Sequence, residues 1–232
     1  VFERATELRR LWAGEPFEGT NPLGHKVSLR TMPRPVQREL PVWITAAGNP
    51  QTFRRAGTQG LNILTHLLGQ SLEALADKIA AYRQAWTEAG HPGRGTVSLM
   101  LHTFVGEDDA TVRRTVKAPM LHYLGSSANL VGGYTSSVPF FQQRCPVSTG
   151  ELTQDDVSDA LEFSFERYYA TSSLMGTFEH CLEVTDRLKA IEVDEVACLI
   201  DFGVDADAVL AALPLLDELR EVANTPDLQP VA

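Results

Sequence analysis

Two rhythms alternate along the chain: short uncharged runs of β-forming residues, and longer stretches in which apolar residues return every three or four positions. The first helical stretch is Phe2 to Trp12, where Phe2, Ala5, Leu8 and Leu11/Trp12 share one face and Arg and Glu the other. Gly14 and Pro16 stop it. Residues 15–40 are rich in Gly and Pro and predict connectors, with a short extended piece near His25 to Leu29 and a surface position for His25. Val42 to Ala46 reads as a strand buried on both faces. A helix is predicted from Pro50 to about Gln59, stopped by Gly60, and Leu61 to Thr65 forms a second strand ending in His66.

Ser71 caps a long helix whose buried stripe is Leu72, Leu75, Ile79, Tyr82 and Trp86, ended by Gly90 to Gly93. Thr96 to Val105 is the third strand. The acidic turn Glu107-Asp108-Asp109 suits the positive end of the next helix, expected to reach about Tyr123 with Pro119 kinking it or ending it early. Residues 125–150 predict an irregular insertion. Beyond it come a helix over Gln154 to Ala170 with apolar Val157, Leu161 and Phe165, and another starting at Gly176 with Thr177 as its cap. Glu195 to Phe202 is the fourth strand, Asp205 to Val222 a last helix interrupted by Pro214, and 224–232 a tail. Strands alternating with helices imply a parallel α/β sheet in a single domain spanning 1–232.

Composition narrows the partners. A net charge of −10 disfavours nucleic acid and anionic membrane surfaces, which reward concentrated Lys and Arg. No apolar run approaches the roughly 20 residues of a membrane-spanning helix, and no signal-peptide pattern opens the chain. Cys145, Cys181 and Cys198 lack metal-ligand spacing and leave one thiol over in any pairing, which fits a reduced, cytoplasmic protein. No cluster of His and carboxylates has the spacing of metal ligands. A start at Val1, directly in a helix, is expected of a fragment, a processed product or a piece of a larger polypeptide.

Chemistry gathers between Pro41 and Gly69. Ala47-Gly48-Asn49-Pro50 breaks the strand, and Asn49 and Pro50 are favoured at the cap and first position of a helix. The helix N-terminus then offers unpaired N–H groups, with Gly48 permitting close approach and Asn49 and Thr52 adding side-chain donors. Two readings stand at this turn: a phosphate site, or ordinary capping without a ligand. At the strand ends, His66 and His102 are either satisfied structural histidines or members of a site. Asp201 is a weaker candidate, and His180 suits a cap or surface position.

The stretch AAGNPQTFRRAG (46–57), followed by Gly60 and by NILTHLLGQ (62–70), resembles the flavin-dependent luciferase-like monooxygenases, nearest the branch embedded in nonribosomal-peptide and polyketide assembly lines. LRRLWAGE (8–15), LMLHTFVGEDD (99–109) and DEVACLIDFGVD (194–205) extend the resemblance over nearly the whole chain. It implies a TIM-type (β/α)8 barrel of the bacterial luciferase-like kind, with only strands 5–8 present here. It also implies an enzyme of secondary metabolism that takes reduced FMN from a separate flavin reductase and O2 as co-substrate. The turn at Ala47, Gly48, Asn49 and Thr52 would hold the FMN phosphate, Thr65 and His66 would flank the flavin, and His102 would line the active site as a proton-handling group. Relatives that act on sulfonates carry an arginine two residues before this histidine; Met100 stands there in this chain.

The substrate implied is a small molecule or a carrier-bound acyl or aminoacyl group. A half-barrel exposes sheet edges and an apolar face, so a missing N-terminal half or a homo-oligomer is expected to cover them. The alternative is a non-catalytic, flavin-binding or assembly half-barrel that needs a partner half. A Schiff-base isomerase or aldolase is disfavoured, because Lys26, Lys78, Lys117 and Lys189 fall in predicted loops or helices.

Overall fold

A computed structural model describes residues 1–131 and 154–225. In chain order the elements are α1 (Phe2–Ala13), β1 (Phe17–Thr20), β2 (Lys26–Leu29), β3 (Trp43–Thr45), α2 (Pro50–Thr58), β4 (Asn62–His66), α3 (Leu72–Glu88), β5 (Val97–Gly106) and α4 (Asp109–Val131). After the insertion follow α5 (Gln154–Thr171), β6 (Leu174–Thr177), α6 (Phe178–Ala190), β7 (Glu195–Leu199) and α7 (Ala206–Asn224). The chain divides into two compact units, one of Val1–Leu64 with Ala80–Gly95, the other of Thr65–Ile79 with Thr96–Ala232.

In the first unit β3 and β4 run parallel, with Ile44 opposite Ile63. Gly14 closes α1 in the left-handed conformation, φ 96°, which a residue without Cβ adopts at no steric cost. Two glycines permit close packing: a Cβ on Gly57 would lie 2.4 Å from the Tyr82 backbone carbonyl oxygen, and one on Gly95 would lie 2.1 Å from the Tyr82 side-chain hydroxyl. Phe53, Ala56, Leu61, Ile63, Tyr82 and Trp86 are buried here. β2 is the extended piece expected near His25 to Leu29, and it pairs in an antiparallel hairpin with β1, a strand that was not expected. β1, FEGT, is too short and too mixed with Gly and charge to announce itself as an apolar run.

The second unit is built on β5, ten residues long and nearly continuously buried. Its first half pairs in parallel with β7, from Ser98–Glu195 to His102–Leu199. Its second half pairs in parallel with β6, from Thr103–Leu174 to Gly106–Thr177. The Val97 N–H donates to Asp194 Oδ2 at 2.7 Å and pins the start of that ladder. Against the strands, α4 and α5 enclose a core of Val112, Val116, Met120, Phe165, Tyr168, Tyr169, Met175 and Phe202.

Several expectations need correction. The 42–46 run is not buried on both faces: Ile44 is enclosed, but Trp43 is 40% exposed and Thr45 is exposed, because β3 pairs only with β4 among the described residues. β6 is an additional strand, and its parallel pairing needs no long apolar run because all four of its residues dock on β5. Pro119 does not end α4, which continues to Val131. The lost hydrogen bond of an interior proline, part of a penalty of about 3 kcal/mol, is outweighed by burial of Val116 and Met120 on either side. Pro214 likewise lies inside α7, which Asp205 caps by accepting from the amides of Asp207 and Ala208. Of the insertion placed at 125–150, residues 125–131 are helical and the remainder lies outside the described residues, as does most of the tail. Thr177 caps α6, accepting from the His180 amide at 3.3 Å, and His25 is exposed. Cys181 and Cys198 are free thiols, and Cys145 lies outside the described residues. Among the described residues no helix is long and apolar enough to cross a membrane.

Candidate functional site

The turn after β3 forms from local chemistry. The Ala46 amide donates to the Leu64 carbonyl and holds the strand end, and Asn49, its own backbone extended, caps α2 by accepting from the Gln51 amide at 2.9 Å. Pro50 occupies a first-turn position whose missing N–H costs nothing. Phe53, Ala56 and Gly57 bury the inner face of α2, so the turn stands on a fixed helix. The cap uses only the Asn49 side-chain oxygen. Its amide nitrogen, the half-buried Thr52 hydroxyl and the Gly48 N–H take no internal partner among the described residues. Nothing lies within 4 Å of a Cβ built on Gly48, so a ligand can reach this backbone. The donor set suits a phosphate in number and in charge.

The second group of candidates lies in the other unit. His102 is completely buried in β5, and its Nδ1 is 2.8 Å from the Tyr168 hydroxyl. Three rings stand edge-on to the imidazole: Tyr123 at 4.5 Å, Phe202 at 5.3 Å and Tyr168 at 5.5 Å. Among the described residues its Nε2 is buried without a hydrogen-bond partner, and so is Nδ1 of the half-buried His66 at the end of β4. Burial first, then the neighbouring His66, pushes His102 down to about 4, so its imidazole is neutral at neutral pH. Burial also lowers His66, opposed by a backbone hydrogen bond at Leu68. Tyr168 is raised by burial and stays a neutral phenol.

Beneath His66 runs a buried polar network. Lys78 Nζ donates to Gln70 Oε1 at 2.7 Å, and Gln70 Nε2 donates to the Thr65 hydroxyl at 3.2 Å and to the His66 carbonyl. Thr65 is 1% exposed, so its hydroxyl serves this network from inside. Desolvation lowers Lys78. Asp201 is exposed, and no group of three or more potential metal ligands gathers among the described residues.

The structure thus groups Ala47, Gly48, Asn49 and Thr52 in one unit, and Thr65, His66 and His102 in the other. Tyr168 and Tyr123 escaped the sequence reading as site residues. Tyr168 and Tyr169 continue the stripe Val157, Leu161, Phe165 by three and four positions, and that spacing was the available signal.

Residues 3–194 match the family model described as luciferase-like monooxygenase. No curated protein matches the chain. Among solved structures, the monooxygenase RslO1 from Streptomyces bottropensis superposes with a TM-score of 0.65 at 18% identity, over 96% of this chain and 60% of that one. DmoA from Hyphomicrobium sulfonivorans does so at 0.62 and 17%, over 100% and 57%. The oxygenating constituent of 3,6-diketocamphane monooxygenase from the CAM plasmid of Pseudomonas putida, solved in complex with FMN, gives 0.61 and 17%, over 95% and 62%. At such identities the likeness shows the fold, part of a TIM-type barrel of the luciferase-like kind. The chain spans about 60% of the length of these structures.

Proposed function

The chain belongs to the luciferase-like monooxygenase family, and from that premise we propose that it carries the cofactor-holding and proton-handling part of a monooxygenase that uses reduced FMN and O2. The observation that carries this reading is the turn at 47–52, whose unclaimed donors stand at a capped helix N-terminus. Gly48 N–H, Asn49 Nδ2 and the Thr52 hydroxyl hold the FMN phosphate, and the small side chain of Ala47 keeps the approach open. Thr65 acts through Gln70, fixing the backbone at the end of β4. In the second unit, His66 and His102 carry two buried ring nitrogens left unpaired among the described residues, and these take the proton-handling role. Reduced flavin, delivered by a separate reductase, supplies the electrons with which O2 oxygenates an organic substrate. The protein binds, orients, excludes water and holds a proton at His102.

The substrate is a small molecule, or an acyl or aminoacyl group on a carrier protein, in cytoplasmic natural-product biosynthesis. One observation also favours a dependent, assembly role for the chain alone. β7 exposes Glu195, Ala197 and Cys198, and an open groove of about 590 Å³ beside it is lined by Val196, Leu213, Leu216 and Leu219. Such a face calls for a cover, either an N-terminal half-barrel or a second copy.

A fluorescence titration with FMN, oxidised and then photoreduced, tests the reading. Saturable binding that falls at least tenfold in Asn49→Ala/Thr52→Ala is expected. Absence of binding, both alone and with an N-terminal half supplied, would overturn it.

A further inference from the structure

The bond between His102 and Tyr168 decides which ring nitrogen carries the proton. Tyr168 is buried, and its hydroxyl meets Nδ1 of His102 at 2.8 Å. Two arrangements of the hydrogens are possible. If Nδ1–H donated to the phenol oxygen, the hydroxyl hydrogen would need another acceptor, and Tyr168 has none among the described residues. Two buried groups would then be orphaned, the Tyr168 O–H and the Nε2 lone pair. If the hydroxyl donates to Nδ1, only Nε2–H is left over. One orphan costs less than two.

We propose that Tyr168 is a positioning residue that locks His102 in the Nε2–H tautomer, so that this side chain meets the bound ligand as a hydrogen-bond donor to a carbonyl-type oxygen or other acceptor atom. The surroundings enforce the role. Tyr123, Phe202 and Tyr168 pack around the imidazole at T-shaped angles, and no acceptor among the described residues competes for Nε2–H. His66 is the titratable side chain, besides the two tyrosines, that acts on the imidazole, and its own Nδ1 is unpartnered in the same way. A donor walled by aromatic rings is well placed to hold charge that develops on an acceptor, because nothing nearby must reorganise. A free imidazole able to exchange tautomers would lack that direction.

Only the identity of the acceptor rests on the monooxygenase reading; the tautomer does not. The deciding measurement is nitrogen NMR of the chain labelled with 15N-histidine at neutral pH, the His102 signals being identified by their loss in His102→Gln. The expected spectrum shows a pyrrole-type Nε2 and a pyridine-type Nδ1 displaced by a hydrogen bond. In Tyr168→Phe, which keeps the ring, Nδ1 should move toward an unbonded pyridine-type position or the tautomers should mix. A pyrrole-type Nδ1 in the parent would overturn the proposal, as would unchanged His102 signals in Tyr168→Phe. If that variant does not fold, the parent spectrum decides alone. The expected tautomer without FMN binding would leave this inference standing while the cofactor reading fell. FMN binding with the opposite tautomer would do the reverse.

Discussion

The turn at 47–52 keeps its polar groups at the surface, where water satisfies them until a ligand arrives, whereas the pocket around His102 keeps its polar atoms away from water and leaves one unpaired. The turn is made by residues within a few positions of one another and is held by one side-chain cap. The pocket joins β5 to a residue 66 positions later and stands on a shared apolar core. Local sites of the first kind tolerate distant changes; sites of the second kind fail with their core. Each prediction below presses on that contrast.

The largest effect is expected from Phe165→Ala. Phe165 is completely buried in the cluster that also contains Tyr168 and Phe202, and truncating such a ring costs about 3–5 kcal/mol. Denaturant unfolding should show that loss, and the His102–Tyr168 bond should loosen with it. A loss below about 1 kcal/mol would mean that the pocket does not depend on this core.

Acidification comes next. His102 in the fold protonates only near pH 4, while an unfolded histidine does so near 6.5. Between those values the unfolded chain binds more protons, so stability rises with pH and falls as the solution is acidified. At about 1.4 kcal/mol per unit, this group alone removes about 2 kcal/mol between pH 6.5 and 5. His66, lowered in the same direction, adds to it. Unfolding curves at pH 5, 6 and 7 for the parent and for His102→Gln isolate the term, since the variant should show a shallower dependence. Parallel dependences would show that His102 titrates normally and that its pocket is wet.

How much of each region could be read in the sequence follows the same division. Asn49, Pro50 and the helix they start were legible because capping is decided within three or four residues. The strands β4 and β5 were legible as apolar runs, and both histidines could be placed at strand positions. The partner of His102 was not. Tyr168 reads as one more apolar position of α5, and only the packing of that helix reveals its hydroxyl as a partner. β6 was missed because Leu174 to Thr177 is a strand only through the length of β5. Pro119 misled for the complementary reason: its local cost was outweighed by burial of Val116 and Met120 that no local window contains. Pro214 also lies inside its helix.

The smallest effect is the most discriminating for the turn. Asn49→Asp keeps a side-chain oxygen for the Gln51 amide and places a negative charge where the helix dipole favours it, so stability should stay within about 0.5 kcal/mol. Asn49→Ala, which removes the cap, should cost about 1 kcal/mol. The ranking for FMN is different. The aspartate loses the Nδ2 donor and sets a carboxylate against the phosphate, so it should bind more weakly than the alanine variant despite its greater stability. A turn that served capping alone would show the two properties moving together. Opposite orders in unfolding and in FMN titration would separate the donor from the cap, and would show that one asparagine holds the helix with its oxygen and the ligand with its nitrogen.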